Sequence, residues 1–239
     1  NPRSRLFEAH PEWAVGIPGR SRSELRNQYV LDLSNQAVVD HLEQAVGEIL
    51  ACAPIAYVKW DMNRDHVQGS GADGAAGTHA QTLALYRLLD ELRSLHPGVE
   101  IESCSGGGGR VDLAMLERVE QVWTSDNTEA FDRLRIQEGF TMAYTPKVMM
   151  AWVTDVPNMN GRVTPLRYRF LTAMQGSLGI GVNLGDWNEA DSKLAAEIKL
   201  LLCTAALVIP KSCVLAVALF GLVPFAGSPP KAAIWALTC

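Results

Sequence analysis

Short apolar runs alternate with amphipathic helical stretches along most of this 239-residue chain. The clearest run is Ile55 to Val58 followed by Trp60, which predicts a buried parallel strand over 55–61. Gln28 to Leu33 (QYVLDL) predicts an earlier strand, with Ser34 as the N-cap of a helix from about Gln36 to Ala51. After a small-residue loop, Gly69 to Gly77, a helix is expected from about His79 to Leu95, ended by His96-Pro97-Gly98. Val99 to Cys104 reads as the next strand, followed by Ser105 and the glycines Gly106 to Gly109. A short helix near 111–119 leads to a strand over Gln121 to Ser125 that ends at Asp126-Asn127. Helices near 129–141 and 164–175, strands near 147–153 and 178–184, and a helix from about 188 continue the pattern.

Repeated β-α alternation calls for parallel strands with right-handed crossovers, so the class is α/β. Polar residues gather at the carboxyl ends of several strands: Asp61, Cys104, Asp126, Asp155 and Asp186. An open doubly wound sheet concentrates its site at one switch point, whereas a barrel recruits from many strand ends. The expectation is an incomplete (β/α)8 barrel over residues 1–200, covering about strands 3 to 8. The chain opens on Asn1-Pro2-Arg3, without an initiator methionine or signal-like segment, and reads as an internal piece of something longer. Residues 201–239 form a separate apolar tail. Its longest clean run, Val214 to Val223, falls short of the ~20 residues of a bilayer span, so a buried helix or an aberrant tail is expected.

Composition narrows the classes. With 48% hydrophobic and 20% charged residues the chain can bury a sizeable core. A net charge of −5 argues against nucleic acid as the main partner. Five cysteines (Cys52, Cys104, Cys203, Cys213, Cys239) contain no CxxC pair, which favours neither a disulfide framework nor zinc and leans toward a reducing, cytoplasmic compartment over secretion. His10, His41, His66, His79 and His96 show no metal-ligand spacing, so no metal or cofactor is assigned. There is no GxSxG elbow of a serine hydrolase.

Asp61 and Asp126 each follow an apolar strand directly. Glycosidic hydrolysis needs two such carboxyl groups, one ionised and one able to deliver a proton. Period-two alternation points Lys59 and Asp61 to the same face, where the cation favours an ionised Asp61. Asp126 follows Trp123, Thr124 and Ser125, an apolar and neutral approach suited to a proton donor. With 26 acidic residues in the chain, the alternative of a loop-capping aspartate stays open for each. Cys104 to Arg110 (CSGGGGR) fits neither the Walker spacing nor GxGxxG; it is a structural turn or a loop whose backbone approaches a polar ligand such as a sugar ring. Trp123 and Trp152 lie near strand ends, where an indole either stacks on a sugar or packs in the core.

YVKWDMNR at 57–64, ESCSGGGGRVDL at 102–113 and VWTSDNT at 122–128 together resemble glycoside hydrolase family 36, the α-galactosidases and raffinose-acting enzymes. NPRSRLFEAHPEWAV and GRSRSELRNQYVLDLS also resemble the family, and the similarity runs to about Leu200. The resemblance implies a retaining (β/α)8 glycosidase with Asp61 as nucleophile and Asp126 as acid/base. It implies Lys59, Asn63 and Arg26 as sugar-hydroxyl ligands, Cys104, Gly106 and Gly107 as the loop shaping the pocket, and Trp123 as a pocket wall. It further implies an α-galactoside oligosaccharide such as raffinose or melibiose as substrate and leaves room for a homo-oligomeric parent; the short apolar run of the tail argues against a membrane partner. Transglycosylation, action on N-acetylgalactosaminides, and an inactive or sugar-binding fragment remain alternatives. The first two barrel strands, with an acidic pair and a tryptophan of the family's pocket, are expected upstream of Asn1. The segment from Cys203 to Cys239 matches neither the family's polar helix nor its C-terminal β domain, as a frameshift, an unspliced intron or a truncated gene would produce. An in-frame transcript identical to this tail would count against that origin.

Overall fold

The computed structural model describes residues 1–64, 66 and 75–208, with 75, 76 and 202–208 described by backbone alone. Asp65, most of the Gly69–Gly77 loop, the Cys203 side chain and the apolar segment beyond residue 208, with Cys213 and Cys239, lie outside the described residues. The chain divides into two compact units at Glu120/Gln121.

In the first unit the order is α1 (Arg5–Ala9), α2 (Gln36–Cys52), β1 (Tyr57–Asp61), α3 (Ala75–Leu95), β2 (Glu100–Cys104) and α4 (Leu113–Leu116). β1 and β2 pair in parallel, from Tyr57 opposite Glu100 to Asp61 opposite Cys104. Helix α3 buries Ala84, Leu88 and Leu92 along one stripe, at the i, i+4, i+8 spacing of a single helical face. Against that stripe pack Val39, Leu42 and Val46 of α2, and Trp60 of β1. Each fully buried leucine there contributes about 1.5–3 kcal/mol. Because side chains alternate along a strand, anchoring Trp60 on the helices turns Lys59 and Asp61 to the opposite face.

Three expectations fail in this unit, each for a local reason. Residues 28–33 do not form a strand. Val15 N–H donates to Val30 C=O at 2.8 Å and Asp32 N–H to Trp13 C=O at 2.7 Å, an isolated antiparallel bridge with the 13–15 segment. On the other edge the buried Gln81 amide takes the place of a neighbouring strand, accepting from Leu33 N–H at 2.5 Å and donating to Leu31 C=O at 2.7 Å. Second, the N-cap of α2 is Asn35, not Ser34: Asn35 accepts from Ala37 N–H, while the Ser34 hydroxyl is drawn back to Asp32 at 2.5 Å. Third, β1 is parallel but not buried, since it pairs on one side alone among the described residues of its unit; β2 is the buried strand.

The second unit runs β3 (Gln121–Trp123), α5 (Ala130–Thr141), β4 (Met149–Thr154), α6 (Leu166–Ala173), β5 (Ser177–Gly181) and α7 (Glu189–Val208). Its strands pair in parallel in that order. One face of β4, through Ala151 and Val153, meets Leu166, Phe170 and Ala173 of α6, with Leu178, Val182 and Ile198 completing the core. The other face carries Trp152, and Gly179 and Gly181 beside it leave room for its ring. α7 passes residue 200 without a break. Among the described residues no helix is long and apolar enough to cross a membrane. The succession of parallel strands and helices is the α/β class expected, part of a (β/α)8 barrel.

Candidate active site

In the first unit, Tyr57, Lys59 and Asp61 share one face of β1, and the parallel register sets Glu100, Glu102 and Cys104 beside them. Lys59 Nζ lies 2.9 Å from Glu102 Oε1, an ion pair across the two strands. The Tyr57 hydroxyl donates to Glu102 Oε2. Burial, then the neighbouring carboxylate, pushes the Tyr57 phenol far above its ordinary range, so it stays a donor. One rung higher, the register sets the buried Cys104 thiol opposite Asp61; burial first and the neighbouring Asp61 second push the thiol up to about 12. Cys104 therefore stays a neutral thiol beside Asp61 and not a nucleophile of its own.

On its other side Asp61 Oδ2 accepts from Asn63 Nδ2 at 2.5 Å, and Asn63 Oδ1 accepts from Arg26 Nη1 at 2.8 Å. Arg26 reaches this position from a tight turn closed by Gln28 N–H donating to Leu25 C=O at 3.0 Å. Both central residues, Arg26 (φ 54°) and Asn27 (φ 55°), are left-handed, as a type I′ turn requires. For a bulky L-residue such as arginine this conformation costs about 1–2 kcal/mol. Backbone strain of that kind concentrates at functional positions.

The glycine loop is latched to the same strand end. Ser105 Oγ donates to Met62 C=O at 3.0 Å, and Met62 N–H to Cys104 C=O at 3.1 Å. Gly106 (φ 52°) and Gly107 (φ 88°) take left-handed conformations that side chains rarely adopt. The Ser105 and Gly109 amides donate to carbonyls inside the loop, to Gly107 and Ser105 respectively, which removes them from any phosphate cradle. Arg110, which sequence reasoning passed over, closes the end of the strand pair. Its Nη2 donates to Trp60 C=O at 2.7 Å and to Cys104 C=O at 2.8 Å, and burial lowers its pKa. A cavity of about 480 Å3 touches Asp61 from the Trp60 side, between Tyr29, Tyr86 and Arg110. Lys59, Glu102 and Cys104 do not line it, so it is not where those groups converge.

In the second unit Asp126 is exposed just beyond β3, and its Oδ1 accepts from Trp123 Nε1 at 2.8 Å. The Trp123 ring is buried edge-on against Trp152, with centroids 4.9 Å apart. A buried cation stands behind the approach to Asp126. The Arg133 guanidinium, 2% exposed, lies 5.7 Å from the Trp123 ring and donates to Ser125 C=O at 3.3 Å and to Met150 C=O at 2.7 Å. Burial brings Arg133 down to about 10. Asn127, next along, donates to Asp132 at 3.0 Å and accepts from Glu129 N–H. The buried Glu129 caps α5 through Asp132 N–H at 2.9 Å and pairs with Arg162. Asp155 and Asp186 are both tied to Asn183, through its N–H at 3.0 Å and its side-chain amide at 2.8 Å, and so brace loops.

Residues 1–208 match the profile of the melibiase family. The chain belongs to the melibiase family. Within it, the chain is 43% identical over 204 residues to α-galactosidase AgaA of Geobacillus stearothermophilus, covering 82% of this chain and 28% of that one. It is 41% identical over 194 residues to an Escherichia coli α-galactosidase, covering 80% and 27%. The fold superposes on the crystal structure of a variant of the family 36 α-galactosidase AgaA in complex with raffinose, with a TM-score of 0.82 at 40% identity over 95% of this chain and 32% of the other. This melibiase-family chain thus spans a little under a third of its relatives' length.

Proposed function

We propose that the whole protein containing this chain is a retaining α-galactosidase acting on oligosaccharides with terminal α-linked galactose. The observation that carries this reading is the grip on Asp61. An Arg26–Asn63 relay holds one side, bringing residues from separate segments to one carboxylate, and the Cys104 thiol stands opposite it on the next strand. Oriented donors of this kind hold a nucleophilic carboxylate aimed at its target. The relatives' α-galactosidase names and the raffinose complex of one of them point to the substrate class.

In this reading Asp61 attacks the anomeric carbon as the glycosidic C–O bond breaks, and Asp126 gives its proton to the leaving oxygen. Asp126 then takes a proton from water, whose oxygen displaces Asp61 and frees galactose with retained configuration. Lys59, Asn63 and Arg26 bind sugar hydroxyls, Gly106 and Gly107 let the loop backbone approach the ring, and Trp123 forms a wall while holding Asp126. The test is hydrolysis of an aryl α-galactoside by the full-length protein and by Asp61→Ala. Activity surviving the substitution removes Asp61 from the nucleophile's place. In a crystal structure of the whole protein the two carboxyls should stand ~5–5.5 Å apart, and a separation near ~9 Å would favour inversion.

A further inference from the structure

Glu102 is a carboxylate with 1% exposure that the reaction above does not use. An ionised carboxylate is stable in such a place only with a cation or good donors on its oxygens. It has both: Lys59 Nζ at 2.9 Å from Oε1 and the Tyr57 hydroxyl on Oε2. The two contacts grip the carboxylate at both ends and stop it from turning away. The parallel register explains the fit, because Lys59 is the direct cross-strand partner of Glu102. We infer that Glu102 is a positioning residue, the fixed counter-ion that holds the Lys59 ammonium in place for the sugar and keeps it off the nucleophile. This rests on the reading of Asp61 and Lys59 given above.

The alternative partner for Lys59 is close. Asp61 stands two residues farther on the same face of β1, about 6.6 Å along the strand, within the span of a lysine stem. Without an anion at Glu102 the ammonium can turn toward Asp61, which lies within its reach. There it would occupy a carboxylate oxygen that the attack needs and vacate the position from which it meets a hydroxyl. The neighbouring rung prevents the reverse error: opposite Asp61 the sequence places the neutral thiol of Cys104 and not a second acid. A carboxylate opposite Lys59 and a thiol opposite Asp61 is the pattern that keeps the two functional groups of β1 apart.

The experiment is a double-mutant cycle in the full-length protein, read as kcat/KM on an aryl α-galactoside and as the inhibition constant of free galactose. Glu102→Gln retains the shape and a partner for Tyr57 but removes the charge. It should lower kcat/KM by about 10–100-fold, the loss that follows a displacement of about 1 Å in a binding group. The galactose inhibition constant should rise in parallel, which a purely structural defect does not require. In a Lys59→Met background, adding Glu102→Gln should change kcat/KM by less than about threefold. Wild-type activity in Glu102→Gln, or losses that multiply in the double variant, overturns the inference while leaving the α-galactosidase reading intact. If Glu102→Gln does not fold, Lys59→Met/Glu102→Leu replaces both charges by apolar groups. Its kcat/KM should match that of Lys59→Met alone, and a tenfold lower value overturns the inference. Full activity in Asp61→Ala or Lys59→Met instead overturns the site reading, and the role of Glu102 with it.

Discussion

Gly181→Ala perturbs the second unit through one ring. A Cβ at Gly181 would lie 2.4 Å from Trp152 Cε3 and 2.8 Å from Cζ3; one at Gly179 would lie 2.5 Å from Cδ1 of the same ring. Carbon contacts settle near ~3.5–4.0 Å, so the indole must withdraw by about 1 Å. Overpacking of this kind costs about 1–3 kcal/mol. Against it stands the gain of about 0.4–1 kcal/mol from losing glycine's freedom in the unfolded chain, so the clash wins. The displaced ring abuts Trp123, whose indole donates to Asp126, so activity should fall with stability. The distinctive signature is non-additivity. Once the ring has lifted from either glycine, the second Cβ meets less, and Gly179→Ala/Gly181→Ala should cost less than the two singles together by about 0.5–3 kcal/mol. In a Trp152→Leu background Gly181→Ala should cost under about 0.5 kcal/mol. Thermal and urea unfolding of the full-length variants, with kcat/KM beside them, measure all of this. Strict additivity, or a Gly181→Ala protein as stable as the parent, would falsify the ring-clash argument.

Arg26→Gly should separate stability from activity. It relieves about 1–2 kcal/mol of left-handed strain, partly offset by glycine's entropy, so the midpoint should hold or rise while kcat/KM falls; a variant that loses neither sinks the Asn63 relay. Native protein treated with iodoacetamide at pH 8 should be modified at the exposed Cys52 and spared at Cys104, where a thiol near 12 is thiolate in roughly one molecule in ten thousand; peptide mass spectrometry showing Cys104 labelled first would contradict its burial. The Asn127 amide, then Arg162, hold Asp132 below its ordinary value, so the folded state binds that proton less readily than the unfolded chain. This contribution is complete above the ordinary carboxylate range and drains away as pH falls through the lowered value. The stability cost of Asn127→Leu should therefore shrink as pH drops below about 4, and a cost independent of pH would remove Asp132 from the account.

What the sequence made legible is what lies close along the chain. Lys59 and Asp61 are two apart on one strand, and alternation alone puts them on one face; Trp123 and Asp126 are three apart and meet through a single indole bond. The αβ succession is legible for the same reason, since each helix stripe and each strand run is a local pattern. The residues that grip these groups come from afar. Arg26 reaches Asn63 across 37 positions, and Tyr57 reaches Glu102 across 45. Nothing in ESCSGGGGR marks Glu102 as the partner of Lys59 until the parallel register is fixed, because shifting that register by one residue would turn Glu102 to the helices and bring Ser103 to face Lys59. The failed strand at 28–33 has the same cause. Its apolar pattern is that of a strand, but the Gln81 amide, about fifty positions on, satisfies Leu31 and Leu33 and makes a ladder unnecessary. Arg133 shows the limit from the other side: a charged residue in a helix reads as solvated surface, yet here it supports the carbonyl beside Asp126 from within the core. The acids proposed to carry the chemistry can be named from the sequence, whereas the ions that fix their surroundings depend on which strand lies next to which.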